Sequence, residues 1–527
     1  MPYVVTQSCC SDASCVYACP VNCIHPTPDE PDFRTAEMLY VDPAACVDCG
    51  ACASACPVDA ITSSKKLTDE QLPFIEINAD FYRESRPRAV LARPVPAPEI
   101  RTQREPLRVA VVGSGPSAMY AADELLTQSE VSVTVFDRLP VPYGLARHGV
   151  APDHGRTRQV SALFDVISAQ PGFSSYLNVE VGNHISHEEL LEHFHAVIYA
   201  VGASADRKLD IPGEGLPGST SATDFVAWYN GHPDHAADSI DLSQRRAVIV
   251  GNGNVALDVA RILTSDPEAL ADTDIAPYAL RALRESKIEE VVVLGRRGPA
   301  ESAFTVPEFV GLLGADVDIA IEGELPPLDG ELPFHVEQKL KLLHGVTQRP
   351  SGKRKRIVFR YLASPTEILG TDRVTGVRVG RNELVTDSEG VLRAAATGAT
   401  EDLEAGLVLA SVGYRGVPLT GLPFDQRANV IPNLDGRVLT ESGGAVFPGS
   451  YVTGWIKRGP TGFIGTNKSC AQQTVQQLAD DFNAGRLPRP AHSAAEFDRL
   501  IRARQPAARF RDNVERTGSL RRLLTRS

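Results

Sequence analysis

Beyond residue 56 the chain has one cysteine, Cys470, although it has ten in all. A redox-active cysteine pair is therefore excluded from everything after that point. Cys470, without a C-x-x-C mate, reads as a small buried residue. Long apolar runs are also missing. Nothing approaches the ~20 consecutive apolar residues that cross a bilayer, so no membrane span is expected. The opening stretch MPYVVTQS has neither the basic nor the apolar segment of a secretory signal. Structural disulfides are therefore not expected, and a cytoplasmic location is. Positive charge is in the minority: 53 Lys+Arg stand against 66 Asp+Glu, a formal net charge of −13, which gives no general affinity for nucleic acid. At 527 residues, 43% hydrophobic and 23% charged, the chain reads as globular, with length for about three or four domains.

The cysteines that are present fall in two runs. The stretch ACVDCGACASACPVDAI places Cys46, Cys49, Cys52 and Cys56 in the spacing C-x2-C-x2-C-x3-C-P. This is the bacterial iron–sulfur run, whose fourth cysteine binds the other cluster of a two-cluster protein. Its partner run lies upstream in SCCSDASCVYACPVNC, where Cys15-x3-Cys19-Pro20 repeats the ending but the leading spacing is broken at Cys9 and Cys10. One cluster would take Cys46, Cys49, Cys52 and Cys19, four thiolates suited to 4Fe–4S. The other would take Cys56, Cys15 and either Cys9 or Cys10. Neighbours in an extended segment point to opposite sides, so only one of that doublet is expected to bind. Three thiolates suit a 3Fe–4S cluster, or a labile 4Fe–4S cluster with an outside ligand. Cys23 is left as a spare thiol near the iron. Zinc, the bland alternative, usually takes paired C-x2-C knuckles separated by a longer loop.

Charge and composition divide the chain. Residues 1–78 carry 11 acidic and 3 basic side chains, whereas residues 81–108 carry 7 arginines and 3 glutamates. The acidic head is expected to sit against basic surface elsewhere in the chain or in a partner. The expected divisions are an iron–sulfur module at 1–80 and a Pro/Arg-rich semi-extended linker at 81–106. A first dinucleotide domain follows in two pieces, 107–243 and 401–485. A second is inserted between them at 244–400, and a basic helical tail closes the chain at 486–527.

Two glycine loops carry the dinucleotide reading. In LRVAVVGSGPSAMYAADELL an apolar strand runs into Gly113-x-Gly115-x-x-Ala118 and a helix. Gly113 permits the tight turn, Gly115 lets backbone approach a pyrophosphate, and Ala118 allows close packing; the helix N-terminus supplies amide donors. The next strand, VSVTVFD, ends in Asp137, an acid suited to an unphosphorylated ribose. In RRAVIVGNGNVALDVARIL the pattern recurs as Gly251-Asn252-Gly253-Asn254 with Ala256. Its following strand ends in Gly295-Arg296-Arg297 rather than in an acid. Arginine there accommodates a 2′-phosphate, so this loop is expected to prefer NADP(H) and the first to hold FAD.

The stretches VAVVGSGPSAMYAADELL, PYGLARHGVAPDH, GNGNVALDVARIL, GRRGPAESAFTVPEF and GWIKRGPTGFIGTNKS resemble the adrenodoxin reductase family of ferredoxin–NADP reductases. CVYACPVNCIH and CVDCGACASACPVDAI resemble the seven-iron bacterial ferredoxins. The fusion of the two is similar to an actinobacterial ferredoxin–ferredoxin reductase. The resemblance implies an α/β architecture of two Rossmann-like domains, the NADP domain inserted in the FAD domain, behind an N-terminal α+β ferredoxin domain. It implies FAD contacts at Gly113, Gly115, Asp137 (where the family has glutamate), Leu145, Val181, Trp455, Gly462, Phe463 and Ile464. NADP contacts are implied at Gly251 to Asn254, Arg296, Arg297, Glu308 and Gly462. His154 and Glu308 match positions that handle protons near the nicotinamide. The implied activity takes two electrons from NADPH and releases them singly through two iron–sulfur clusters to a protein acceptor. That acceptor would be a cytochrome P450, another redox enzyme or a separate ferredoxin. A different class of function, a redox-sensing or electron-storage module whose partner does the chemistry, predicts slow NADPH turnover with every artificial acceptor.

Overall fold

The computed structural model describes residues 2–83, 91–92, 94–101, 106–235, 237, 239–328, 332–347 and 352–512. The first cysteine run and the second fold into matching halves of one small module. Short helices Ser14–Ala18 and Ala51–Ala55 are each entered through a left-handed residue, Ala13 and Gly50, and each ends at a cysteine in extended conformation, Cys19 and Cys56. Positive φ recurs at Ser11 and Asp48, and at Asn22 and Asp59, at the same constant offset in sequence. Tyr3–Val5 pairs antiparallel with Ile61–Ser63, and Ile24–His25 with Tyr40–Val41. Helix Pro73–Asp80 closes the module. On it, buried Asn78 accepts from the amides of Val5 and Val41 and donates to the Val5 carbonyl, tying the two halves together.

The first glycine loop lies in an eight-stranded sheet. Its centre is parallel and runs Val446–Val452, Ala196–Tyr199, Leu107–Val112, Val131–Asp137, Phe173–Leu177. Val109, Val111, Val133 and Val135 are fully or almost fully buried, each contributing about 1.5–3 kcal/mol. The second glycine loop lies in a six-stranded, wholly parallel sheet: Ser219–Ser221, Leu407–Ala410, Arg246–Val250, Glu290–Gly295, Arg356–Tyr361, Asp318–Glu322. An antiparallel meander of Ala363–Leu369, Gly376–Thr386 and Leu392–Glu404 is attached to it.

Two expectations need correction. Leu407–Ala410 does not return to the first sheet but pairs with Arg246–Val250 in the second, and Ser219–Ser221 joins it there. The inserted domain is therefore wider at both ends than 244–400; a short buried parallel strand reads alike in either sheet. The tail is only partly helical. Helix Ala494–Arg504 buries Phe497 and Ile501 against the first domain, and Arg509–Asp512 adds an antiparallel edge strand beside Phe173–Leu177. Residues 513–527 of that tail lie outside the described residues, as do 84–90, 93 and 102–105 of the linker.

The acidic head meets basic side chains elsewhere in the chain, as expected, and most of them lie beyond the linker. Lys339 pairs with Glu37 at 2.8 Å, Lys341 with Asp80 at 3.5 Å and Lys468 with Asp12 at 4.0 Å. Of the described linker arginines, Arg83 meets Asp80 and Glu337, while Arg101 meets Glu99 within the linker. The contact is also apolar. Val306 and Val310 sit in the core of the cysteine module, and Tyr40, Phe81 and Phe334 form an aromatic triad across the boundary. Among the described residues no helix is long and apolar enough to cross a membrane.

Candidate redox site

Each glycine loop is built on the same two constraints. Gly113 has φ +103° and an added Cβ would lie 2.5 Å from the carbonyl oxygen of Ala200; Gly251 has φ +109° and would overlap the carbonyl of Ser411. Only glycine makes these turns against a neighbouring strand. The middle glycines, Gly115 and Gly253, face nothing within 4 Å. That open space lies at the N-termini of helices Pro116–Leu126 and Asn254–Thr264, neither of which has a side-chain cap. Uncapped amides beside free volume fit a dinucleotide pyrophosphate. Ala118 and Ala256 are fully buried where each helix crosses its strand.

Around the first loop the structure gathers most of the FAD set. An added Cβ on Gly144 would meet the Gly115 Cα at 3.3 Å, which sets Leu145 beside the loop. Gly454, at φ +76°, abuts Ser117, and Ser117 Oγ donates to Asn467 Oδ1 at 2.7 Å. The segment holding Trp455, Gly462, Phe463 and Ile464 is thereby drawn across the helix start. Trp455 Nε1 donates to the Thr461 carbonyl at 3.1 Å. Val181 lies just beyond the end of the next strand, where Val179 N donates to the Asp137 carbonyl at 2.8 Å. The Asp137 carboxylate itself accepts from Ser114 N at 2.9 Å, from Ser114 Oγ, and from Leu139 N at 2.8 Å. Its immediate role is to brace the glycine loop. Burial raises its pKa, and these donors oppose the rise. Cys470 is buried beneath this region, accepting from Gly454 N at 3.3 Å.

Around the second loop, an added Cβ on Gly295 would lie 2.8 Å from the Asn252 amide, so the arginine pair begins beside the loop. The backbones of Arg296 and Arg297 are pinned: their carbonyls accept from Asn382 Nδ2 at 2.9 Å and from Leu362 N at 3.0 Å. Arg296 is exposed and Arg297 half-buried. Among the described residues no carboxylate pairs with either guanidinium, so both fit a phosphate. Asn252 and Asn254 accept from the amides of Ala303 and Thr305 at 3.3 and 2.8 Å. They thereby set the start of helix Val306–Leu313, which carries Glu308.

His154 and Glu308 meet, with Nε2 to Oε2 at 3.8 Å. His154 is also 3.7 Å from Asp258, which Arg261 holds at 2.8 Å while forking onto Asp153 at 2.6 and 2.9 Å. Burial raises the Glu308 pKa and Asp258 adds to it; His154, Gln7 and Arg261 act against it. Gln7 and Asp258 were not singled out by the sequence. The only sequence sign of Asp258 was its helical spacing from Asn254.

The nine thiols of the N-terminal module crowd one another. Cys52 is pushed up to about 11 by burial, with the charges of Cys46, Cys19 and Cys49 adding to it. Cys9 is pushed up to about 11 by burial, with Cys56 adding. Cys15 is also raised, chiefly by burial and then by Cys9, with Asp12, Cys56 and Cys52 after it. Cys23 Sγ lies 3.3 Å from Cys19 Sγ. Crowded, buried thiols of this kind favour a polycation that takes them as thiolates. The grouping is also too wide for one ion. Among the described residues the only triple of metal-ligating atoms within 4.8 Å is His154, Asp258 and Glu308, whereas tetrahedral zinc–sulfur bonds of about 2.3 Å would crowd four sulfurs closer than that. The internal repeat sets Cys9 opposite Cys46, Cys15 opposite Cys52, and Asp12 in the place of Cys49. Asp12, mostly buried, was missed; counting back from the two Cys-Pro endings would have found it.

Residues 107–268 match the family described as pyridine nucleotide-disulphide oxidoreductase, and residues 39–62 match the 4Fe-4S binding domain. A probable ferredoxin/ferredoxin–NADP reductase of Mycobacterium bovis is 55% identical over 526 residues, covering 96% of this chain and 88% of that protein. Its counterpart in Mycobacterium leprae is 53% identical over 530 residues, covering 98% and 92%. Among solved structures, Mycobacterium tuberculosis FprA in complex with NADPH superposes with a TM-score of 0.72 at 46% identity, covering 77% of this chain and 92% of that one. With its cysteine module seated on two glycine-loop domains, the chain belongs to the ferredoxin/ferredoxin–NADP reductase family, an N-terminal ferredoxin fused to a reductase of the adrenodoxin reductase type.

Proposed function

We propose that this protein is an FAD-dependent ferredoxin–NADP⁺ oxidoreductase that exchanges electrons between NADPH and one-electron carriers through its own iron–sulfur module. The observation that carries the reading is the seating of that module. The Cys10 carbonyl accepts from the amide of Gly465, the residue after Ile464, at 2.7 Å. Cys9, Cys56 and Ile464 pack against one shared core. The cysteine sites and the dinucleotide loops therefore belong to one assembly.

Bound FAD supplies the exchange between a hydride and single electrons, and the iron–sulfur clusters supply one-electron storage. Gly113, Gly115, Ala118, Asp137, Leu145, Val181, Trp455 and Gly462 to Ile464 would hold the flavin nucleotide. Gly251 to Asn254 would take the NADP(H) pyrophosphate, and Arg296 and Arg297 its 2′-phosphate. Cys19, Cys46, Cys49 and Cys52 would ligate one 4Fe–4S cluster. Cys9, Cys15 and Cys56 would ligate the other, a 3Fe–4S cluster or a 4Fe–4S cluster with a fourth, non-thiolate ligand. Cys9 is favoured over Cys10 because it matches Cys46, while Cys10 turns into the reductase core.

Stoichiometry requires a proton-handling group. NADPH oxidised against two one-electron acceptors gives NADP⁺, two reduced acceptors and one proton. His154 and Glu308 are placed to hold and release it. A fused module reacts at high effective concentration instead of docking from solution. Cys49 is exposed, which suits delivery to an outside protein such as a cytochrome P450, another redox enzyme or a separate ferredoxin. A cytoplasmic location is part of this reading. Steady-state assays with NADPH against ferricyanide and cytochrome c test it. Rapid reduction of both supports the reductase, whereas slow turnover with every acceptor supports the storage module instead.

A further inference from the structure

The reductase's proton-handling pair is completed by a residue from the ferredoxin module. Gln7 leaves that module two residues before Cys9, from a loop tied back by Thr6 N to the Ala60 carbonyl at 2.8 Å and by Cys9 N to the Thr6 carbonyl at 3.2 Å. Its Nε2 donates to Glu308 Oε2 at 2.9 Å and lies 3.5 Å from His154 Nε2. The amide is seated against Gly311, one helical turn beyond Glu308, where any Cβ would overlap it. Gln7 and His154 also line a cavity of about 700 Å³ among Asp153, Arg261 and Gly311, which gives His154 a way out to solvent.

We infer that Gln7 is a positioning residue of the reductase site: the ferredoxin module, by seating, orients Glu308 toward His154 and favours its ionised form. This rests on the reductase reading above. Glu308 is faced by four groups, His154 from the loop before Gly155, Asp258 and Arg261 from helix Asn254–Thr264, and Gln7 from the other module. Asp258 opposes the Glu308 charge, while His154 and Arg261 favour it. Gln7 is the only one of the four that cannot ionise, and the only one not carried by the reductase domains. Its amide N–H donates more strongly to the carboxylate than to the neutral acid, whose oxygens are weaker acceptors. Loss of that bond raises the pKa of Glu308 further. The fold therefore makes proton handling at the nicotinamide side sensitive to whether the ferredoxin module is in place.

The test is the pH profile of kcat/KM for NADPH with ferricyanide as acceptor, measured on the full-length holoprotein. Gln7→Leu is expected to move the Glu308-controlled limb to higher pH by about one unit, the scale of one lost hydrogen bond to a charged group. Gln7→Glu, which sets a second carboxylate beside the first, is expected to move it further. Gly311→Ala leaves Gln7 intact but displaces its amide, so it is expected to move the limb in the same direction. Iron content per chain is measured for each, because Gln7 lies near Cys9. Unshifted profiles in all three variants, at wild-type iron content, would overturn the inference while leaving the reductase reading intact. Failure of the wild-type protein to oxidise NADPH at any pH would overturn both.

Discussion

The amide of Gly465 donates to the carbonyl of Cys10 at 2.7 Å, joining the flavin-side loop to the first cysteine run through backbone alone. A Cβ on Gly465 would overlap that carbonyl and the backbone of Asp12, and neither can swing aside as a side chain would. Gly465→Ala is expected to part the modules at this edge, at the ~1–3 kcal/mol typical of overpacking. Amide hydrogen exchange across residues 9–19 reads the effect directly. Protection there should fall while that of strand Leu107–Val112 holds. Unchanged protection would mean that the modules adjust without parting.

In the proposed function, cofactor choice rests on Arg296 and Arg297. Their backbones are fixed by Asn382 and Leu362, so truncating the side chains should leave the loop in place. A charge-assisted bond to phosphate is worth about 1.5–3 kcal/mol. The Arg296→Ala/Arg297→Ala variant should therefore raise KM for NADPH roughly 10- to 100-fold and leave KM for NADH nearly unchanged. Equal losses with both nucleotides would place the arginines elsewhere in the mechanism.

His148 gives the protein an acid limb. Burial, with the charge of His232 adding, lowers its pKa from 6.5 to about 4. The unfolded chain therefore takes up the proton first as pH falls. The contribution of neutral His148 to stability is complete above pH 6.5 and is lost progressively as pH falls from there through 4. His148→Leu should flatten the dependence of stability on pH across that window by about one proton. Urea unfolding at pH 7, 6, 5 and 4 checks it; a slope equal to wild type would show that other groups set the limb.

The glycine loops and cysteine runs were legible because their chemistry is local. A strand, three small residues and a helix start fall within one stretch of chain, and so does C-x2-C-x2-C-x3-C-P. Sheet membership was not. Leu407–Ala410 is a buried apolar strand that either parallel sheet would accept, and only its pairing with Ser219–Ser221 and Arg246–Val250 decides it. The edge strand Arg509–Asp512 lies in a run rich in arginine, whose composition suggested helix alone. The charge imbalance told that the acidic head would meet basic surface elsewhere in the chain, but not which side chains, since Lys339, Lys341 and Lys468 arrive from far along it. Gln7 carried no signal, since a lone glutamine before a cysteine acquires its role only when Glu308 and Gly311 are brought to it.

The proposed function requires one continuous electron route from NADPH to the cysteine sites. Anaerobic titration of the purified holoprotein with NADPH, followed by absorbance and low-temperature EPR with NADH as the control, tests it most directly. The account predicts that NADPH bleaches the flavin, that the iron–sulfur signals change in the same titration, and that NADH does so far less readily. Flavin bleaching with iron–sulfur signals that stay unchanged would contradict it.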